Sequence, residues 1–348
     1  MTEIPVRARK TRRKGTGVTM AEVAATAGVS MQTVSRYLRF PETVAADTGQ
    51  QIQEAIEKTH YVHNLAASHL ASARSNMVAA IIPTLSASIF AETIQHFSEV
   101  LHSAGYQIFL GYTDYRADRE EEVIRSLLGR RPDGIFIIGT HHSRNSVALL
   151  KRARIPIVEG WDLTPKPLDR LVGFSNRAAI AEMVDHLARS GRRQIVFSGV
   201  LRKGDSRATE RRDGFVAAMT ERYPDEEIRL HVSTELPLEM ASGAVLLRQT
   251  REHYPDADAI MFSSDVLASG ALLESARLGI AVPHALAMTG FGDFELSKQL
   301  NPSLTTVFVP SDEIGRQAGR LLLEGMQGVV SEQKSVDVGF KLMIRESG

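Results

Sequence analysis

The stretch from Val18 to Leu38 reads VTMAEVAATAGVSMQTVSRYL and predicts two short helices joined by a glycine turn. Thr19 and Glu22 have the T-x-x-E spacing of a capping box, so the first helix should begin just after the threonine. Gly28 can end that helix in the left-handed backbone conformation, and Ser30 can cap the helix that follows. This arrangement is typical of a helix-turn-helix unit, whose second helix enters the major groove of DNA.

The outer face of the second helix carries side chains suited to DNA. Val34 and Leu38 are four residues apart and should pack inward, which turns their neighbours outward. The Gln32 amide can read adenine, the Arg36 guanidinium can read guanine, and nearby hydroxyls can hold phosphates. A small helical pair with a solvated polar face is the alternative. The DNA-binding residues predicted in this segment are Thr19, Ser30, Met31, Gln32, Thr33, Ser35 and Arg36.

The pattern V-T-x-x-E-V-A-x-x-A-G-V-S-x-x-T-V-S-R from Val18 resembles the headpiece signature of the lac/gal (LacI/GalR) repressor family. Residues 61–70 are similar to the family's Y-x-P-N-x-x-A-x-x-L segment, with His63 in place of the proline, and the likeness continues through most of the chain. The resemblance implies an all-α helix-turn-helix headpiece followed by a two-lobed α/β effector domain of the type I periplasmic-binding-protein-like fold. It also implies a transcriptional regulator. The loop GFGDFE, the stretch IIPTLSASIFAE and the phrase VGFSN from Val172 together look most like the gluconate-repressor (GntR-type) branch of the family.

Composition limits the compartment and the partners. The chain of 348 residues contains no cysteine, so disulfides and zinc fingers are excluded, and a cytoplasmic setting is expected. The basic N-terminus is followed by no apolar run, which argues against a secretory signal or a membrane anchor. Net charge is zero, but residues 1–76 carry +4 and the remainder −4. Such a distribution favours phosphate contact at the head.

Four segments are predicted along the chain. They are a basic, disordered arm (1–17), the headpiece (18–63), a hinge helix or linker (64–76) and the two-lobed effector-binding and dimerisation domain (77–348). A third headpiece helix is expected up to Thr59, capped by Asp47 or Thr48. From Met77 onward, short apolar runs alternate with amphipathic stretches, which is the rhythm of parallel strands with crossover helices. This rhythm occurs twice and predicts two similar lobes with a ligand cleft between them.

The family resemblance implies a homodimer on a near-palindromic double-stranded operator, because two-fold symmetric DNA needs two heads. Paired hinge helices would enter the minor groove, where Leu70 would wedge between base pairs while Ala67 allows close approach and Asn64 adds a contact. Packing of Leu70 against the body is the alternative. The chain end lacks a leucine heptad, so a coiled-coil tetramer is not expected. Effector binding is expected to separate and melt the hinges.

The family pattern implies that several strand ends face the cleft. Arg211 can clamp a carboxylate, a phosphate or vicinal hydroxyls. Trp161 can stack on a sugar or belong to the core, and Asp265 can either touch ligand or cap its helix. Glu159 and His142 are neighbouring candidates. The effector-binding residues predicted are Ser86, Ser88, Phe90, His141, Trp161, Asp162, Arg211, Asp265 and Asp293.

A sugar acid is the expected effector. In GFGDFE, Gly292 stands where the family usually has an aspartate that holds sugar hydroxyls, and removing a carboxylate while keeping Arg211 favours an anionic ligand such as gluconate or a derivative. A different sugar or a phosphorylated metabolite is the alternative within the same family. A solute-binding protein or a sugar-modifying enzyme with a DNA-binding head is a more remote one.

Neither a metal nor a cofactor is expected, and no enzyme activity. Adjacent His141 and His142 point opposite ways on a strand, and no further ligand occurs at metal-binding spacing. The sequence contains no phosphate loop, no G-x-S-x-G elbow and no H-E-x-x-H motif.

Overall fold

The computed structural model describes residues 18–62, 74–85, 88–329 and 333–348. They separate into two units, of which the first ends at Ser75 and the second begins at Asn76. Each unit has an apolar core of its own. The predicted basic arm, Ser86 and most of the predicted hinge, including Asn64, Ala67 and Leu70, lie outside the described residues.

The first unit contains the two short helices predicted from the opening motif and a third helix after them. They are α1 (Met20–Ala27), α2 (Met31–Arg39) and α3 (Ala46–Thr59), with a 3₁₀ turn at Pro41–Thr43. The helices pack around a small core of Val23, Ala24, Val34, Ile52 and Ala55. The prediction of a helix-turn-helix headpiece is confirmed.

The predicted start of the third helix was wrong. α3 begins at Ala46, and Ala45 stands at its N-cap without a side-chain hydrogen bond. Asp47 instead lies in the first turn, where a negative charge interacts favourably with the positive end of the helix dipole. The acidic residue therefore supports the helix start through charge rather than through capping.

The first lobe of the second unit is a six-stranded parallel sheet with the order β11-β5-β4-β3-β1-β2. The strands are β1 (Met77–Ile82), β2 (Gln107–Tyr112), β3 (Gly134–Ile138), β4 (Ile157–Gly160), β5 (Arg170–Gly173) and β11 (Ser335–Asp337). The helices are α4 (Ser88–Ser103), α5 (Ala117–Leu128), α6 (Arg144–Ala153) and α11 (Ser311–Met326). β1 pairs with β2 from Met77 opposite Gln107 onward. β4 ends at Gly160, so Glu159 lies within the strand.

The second lobe repeats this plan with the order β12-β10-β9-β8-β6-β7, in which only β12 runs antiparallel to its neighbour. The strands are β6 (Ile195–Val200), β7 (Arg229–Ser233), β8 (Ala259–Phe262), β9 (Ala287–Gly292), β10 (Thr305–Phe308) and β12 (Lys341–Met343). The helices are α7 (Asn176–Arg189), α8 (Ser206–Arg222), α9 (Met240–His253) and α10 (Asp265–Arg277), with a 3₁₀ turn at Glu295–Lys298.

The chain passes between the two sheets three times, after β5, between β10 and β11, and between β11 and β12. The central strands of both sheets are buried, with apolar side chains such as those of Ile135, Phe136, Ile260 and Met261. Ligands of open parallel sheets bind beyond the carboxyl ends of the strands, so this fold points to the cleft between the lobes. No helix among the described residues is long and apolar enough to cross a membrane.

Candidate nucleic-acid interface and effector cleft

The helix predicted to read DNA, α2, is positioned by hydrogen bonds between residues close in sequence. The Thr19 backbone N–H donates to Glu22 Oε2 at 2.6 Å, and the Glu22 N–H donates to Thr19 Oγ1 at 3.4 Å, which completes the predicted capping box. Gly28 ends α1 with φ 67° and ψ 26°. Ser30 Oγ then accepts the Thr33 N–H at 3.1 Å and fixes the start of α2. The turn is therefore specified by residues inside the motif itself.

The outer face of α2 is open to solvent. Met31 is 55% exposed, and Gln32 and Arg36, one helical turn apart, are also exposed. Thr33 and Ser35 are half-buried, and the Thr33 hydroxyl lies 2.8 Å from Ser30 Oγ. The available base-reading groups are thus an amide and a guanidinium on the same face.

A cavity between the two lobes holds about 490 Å³ of space not filled by protein atoms. Phe90, Trp161 and Arg211, three of the residues predicted from the sequence, line it together. The other lining residues are Ile89, Tyr115, Asp205, Arg207, Leu238, Ser263, Ser264, Phe291, Gly292 and Phe294.

Arg211 projects from α8 into this cavity. Its guanidinium carbon lies 4.5 Å from the centre of the Phe291 ring, and Nη1 donates to Asn176 Oδ1 at 3.0 Å. Nε is buried and has no hydrogen-bond partner among the described residues. Burial of the guanidinium lowers the pKa of Arg211, because removal from water disfavours the charged form. An anionic ligand would supply the acceptor that this cation lacks.

Arg207 is a second cation at the same cavity, and the sequence analysis missed it. It precedes Arg211 by four residues on α8, so the R-x-x-x-R spacing was the available signal. The side chain is buried, with its guanidinium carbon 5.3 Å from the Phe90 ring centre and Nη2 3.9 Å from Asp205 Oδ1. Asp205 is partly occupied elsewhere, since Oδ1 accepts the Ala208 N–H at 3.1 Å and caps α8.

Trp161 is buried in the core and also lines the cavity. Its position agrees with a core role, and its stacking on a sugar stays a prediction. Its ring meets Phe90 edge-on at 5.1 Å and Phe174 at 6.2 Å, and the side chain is 4% exposed. The backbone has φ 73°, unusual for a bulky side chain. The indole Nε1 is buried without a partner among the described residues, so it can donate to a ligand.

The two predicted aspartates of the second lobe have other partners. Asp265 accepts the Phe294 N–H at 3.0 Å and the hydroxyls of Ser297 and Thr306, both at 2.5 Å. It does not cap α10, because Ser264 does so by accepting the Val266 N–H.

Asp293 forms an ion pair with Arg345, Oδ1 to Nη2 at 2.6 Å. Neither Asp293 nor Asp265 is among the residues that line the cavity. Burial raises the pKa of Asp265 to about 6, against the stabilising hydrogen bonds to its carboxylate.

The remaining candidates lie around the cavity rather than on it. Asp162 is buried, where Oδ1 accepts the Leu163 N–H at 2.9 Å, and burial raises its pKa. Ser88 is exposed at the start of α4. His141 is exposed and lines a second, neighbouring cavity.

His142 has carboxylate partners that the sequence analysis did not foresee. Nδ1 lies 3.1 Å from both Glu120 oxygens, and Nε2 lies 3.5 Å from Glu159 Oε1. Glu120 and Glu159 are far from His142 in sequence, so spacing gave no signal. Within the described ranges, no group of three or more His, Cys, Asp and Glu residues is arranged to hold a metal ion.

Gly292 occupies the position where the resemblance leads one to expect an aspartate. It lines the cavity and has φ 131°, a conformation that side-chain-bearing residues rarely adopt. A Cβ added there would lie 2.5 Å from the Phe294 ring. The cavity therefore has no carboxylate at this point of its wall.

A helix-turn-helix head carried on the same chain as a two-lobed α/β body is the architecture of a DNA-binding transcriptional regulator. Residues 19–64 match the family model described as "Bacterial regulatory proteins, lacI family", and residues 184–348 match the "Periplasmic binding protein-like domain". The chain is 35% identical to the HTH-type transcriptional regulator GntR of Pseudomonas aeruginosa, over 94% of this chain and 95% of that protein. It belongs to the LacI family.

Solved structures support the same assignment. A LacI family transcriptional regulator from Silicibacter pomeroyi superposes with a TM-score of 0.89 at 33% identity, covering 95% of this chain and 99% of that one. The lac repressor dimer bound to operator and the anti-inducer ONPF has the same fold, with a TM-score of 0.82 at 22% identity over 95% of this chain and 99% of that one.

Proposed function

We propose that this regulator is a repressor whose operator binding is controlled by a sugar acid, such as gluconate or a derivative, bound in the cleft. The observation that carries the proposal is the pair Arg207 and Arg211, one turn apart on α8 and facing one aromatic-lined cavity. Two guanidinium groups that face an aromatic-lined cavity match a carboxylate better than a neutral hydroxyl.

The wall of the cavity supports an anionic rather than a neutral ligand. Arg211 Nε and Trp161 Nε1 are buried donors without hydrogen-bond partners among the described residues, so an anionic ligand can supply acceptors for them. The aspartate that would accept hydroxyls from a neutral sugar is replaced by Gly292. The aromatic rings supply apolar surface for the carbon chain, as binding cavities for small molecules commonly do.

On the same proposal, α2 reads the operator. Gln32 and Arg36 lie exposed on one face of the helix and would contact base edges, while Ser35 and Thr33 would hold phosphates. The operator would be a near-palindromic duplex bound by a homodimer. Recovery of an inverted repeat by selection from genomic fragments tests this part, and recovery of no preferred fragment would contradict it.

The edge of the first sheet is the surface we propose for the homodimer. β2 is an edge strand of the first sheet, and its Phe109, Leu110 and Tyr112 are 37%, 44% and 41% exposed. Exposed apolar edge strands are usually covered by a partner. Leu110→Glu should give a monomer in sedimentation analysis, whereas Val329→Glu, at another exposed apolar residue, should remain a dimer. If both Leu110→Glu and Val329→Glu remain dimers, the dimer interface lies elsewhere.

Effector occupancy would act on operator binding through closure of the cleft, with the predicted hinge segment melting as the lobes rotate. Hydrogen exchange of hinge amides on operator DNA tests this switch, because the exchange should become faster when the effector is added. Equal exchange with and without effector would contradict it.

Titration calorimetry of the full-length protein is the main test of the effector. The ligands are gluconate, 2-ketogluconate, 6-phosphogluconate and glucose, each followed by operator binding with the same ligand present. The proposal predicts that at least one acid binds, that glucose does not, and that the bound acid weakens operator binding. Binding of glucose alone would overturn the sugar-acid assignment and leave a neutral-sugar regulator of the same family.

A further inference from the structure

The cleft contains a second cavity beside the first. Tyr115 and Arg207 belong to the walls of both cavities, so the two spaces are adjacent at these side chains. A ligand held at Arg207 therefore lies next to both spaces. The first cavity, called the first compartment below, has a mainly aromatic wall. The second cavity, called the second compartment, has a more polar wall.

The second compartment is lined by polar groups that both donate and accept hydrogen bonds. Thr113, Glu120, His141 and Ser206 lie on its wall. Arg116 lies there too, but its guanidinium is occupied by Asp118, with contacts of 3.2 and 2.5 Å. Mixed donors and acceptors of this kind suit a chain of hydroxyl groups, each of which is a donor and an acceptor.

Glu120 is held in place by the buried group behind it. Both of its oxygens lie 3.1 Å from His142 Nδ1, and His142 Nε2 faces Glu159, which also accepts the Leu168 N–H at 2.5 Å. The side chains of His142 and Glu159 are each 2% exposed, whereas that of Glu120 is 14% exposed. Of the three groups, Glu120 is therefore the one open to the cavity.

The imidazole of His142 lies between the carboxylates of Glu120 and Glu159. Burial opposes protonation of the imidazole, but hydrogen bonds to the two carboxylates outweigh it and raise the pKa of His142 to about 9. The carboxylate of Glu120 is the part of this group that faces the cavity. A hydroxyl can donate to this carboxylate, whereas a phosphate would be repelled by it.

We propose that the second compartment binds the polyhydroxyl chain of an open-chain sugar acid whose carboxylate lies at Arg207 and Arg211, and that Glu120 selects a terminal hydroxyl over a phosphate. The inference rests on the proposed function, because it takes the arginine pair as the carboxylate site. It narrows the effector to an unphosphorylated polyhydroxy acid.

The experiment is calorimetric titration of the full-length protein with glycerate, threonate, xylonate, gluconate and 6-phosphogluconate. Affinity should rise with the length of the hydroxylated chain, and 6-phosphogluconate should bind at least about tenfold more weakly than gluconate. Glu120→Gln should reduce that preference by about tenfold or more. Glu122→Gln removes the same charge from an exposed position on α5 and should leave the preference unchanged.

The outcomes separate this inference from the proposed function. If the wild type binds none of the acids, the proposed function fails. If gluconate binds but affinity does not depend on chain length, or Glu120→Gln keeps the wild-type preference, the second compartment is not the polyol site. Thermal unfolding checks that Glu120→Gln is folded. If this variant does not fold, the chain-length series on the wild type decides whether the second compartment binds the polyhydroxyl chain.

Discussion

Replacement of Arg211 by methionine should separate ligand binding from stability. Methionine keeps an apolar stem against Phe291 but removes the guanidinium. Two charge-assisted hydrogen bonds to a carboxylate contribute about 1.5–3 kcal/mol each, so the affinity for gluconate should fall by about 10²–10⁴-fold.

The free energy of unfolding should change little in the same variant. Removal of the unpaired, buried Nε–H relieves about 1–3 kcal/mol. Loss of the Asn176 hydrogen bond costs about 1 kcal/mol, and loss of the contact with the Phe291 ring costs about 1–2 kcal/mol. A relief of about 1–3 kcal/mol against a cost of about 2–3 kcal/mol leaves a net change of no more than about 2 kcal/mol. A purely structural arginine would instead cost several kcal/mol when removed.

Calorimetry measures the affinity, and denaturant unfolding followed by Trp161 fluorescence measures the stability of the body, since the chain has one tryptophan and it lies in the cleft. Arg212→Met is the matched control, because Arg212 is adjacent and its guanidinium is paired with Asp213. Unchanged gluconate binding by Arg211→Met, or a stability loss above about 3 kcal/mol, would refute the reasoning.

Three further predictions concern the head and the second lobe. Arg36→Ala should weaken operator binding by about 1–3 kcal/mol and relax the choice of base, whereas Lys14→Ala should weaken binding to all sequences alike and reduce its salt dependence. Binding to an operator library at several salt concentrations distinguishes the two variants. An unchanged sequence preference of Arg36→Ala would contradict the major-groove assignment. Gly28→Ala should lower the free energy of unfolding of the head by about 1–2 kcal/mol, because φ is 67° at this position. Thermal melts followed by the helical signal of the head measure this loss. Gly28→Asn is the comparison variant, because asparagine tolerates this backbone conformation better. Burial raises the pKa of Asp265 from 3.8 to about 6, so the folded state binds this proton more tightly than the unfolded state does. The protonated carboxyl therefore contributes about 3 kcal/mol to the free energy of unfolding below pH 4, and this contribution is lost as the pH rises above 6. The difference in unfolding free energy between wild type and Asp265→Asn should follow that curve, and a difference that does not vary with pH would exclude it.

The head could be predicted almost completely because its signals are local. Thr19, Glu22, Gly28 and Ser30 act on residues three or four positions away, so these partners can be read from the sequence itself. The start of the third helix was the exception. No side chain caps it, and a pattern search that looks for a capping residue has nothing to find there.

The cleft was predictable only in part, because its side chains are assigned by contacts between distant segments. Asp265 and Asp293 follow strands at the cleft, but Thr306 and Arg345 draw their carboxylates away from the cavity. The four-residue spacing between Arg207 and Arg211 was visible in the sequence, but only the structure shows that both side chains line the same cavity.

The conformation of Gly292 also bears on how this branch of regulators can change its ligand. Restoring an aspartate at this position would force its Cβ to within 2.5 Å of Phe294 in a backbone geometry that disfavours any side chain. If the effector is a sugar acid as proposed, an aspartate at this position would need a change at Phe294 as well. Two positions of the wall, rather than one, therefore control whether a carboxylate can enter this part of the cavity.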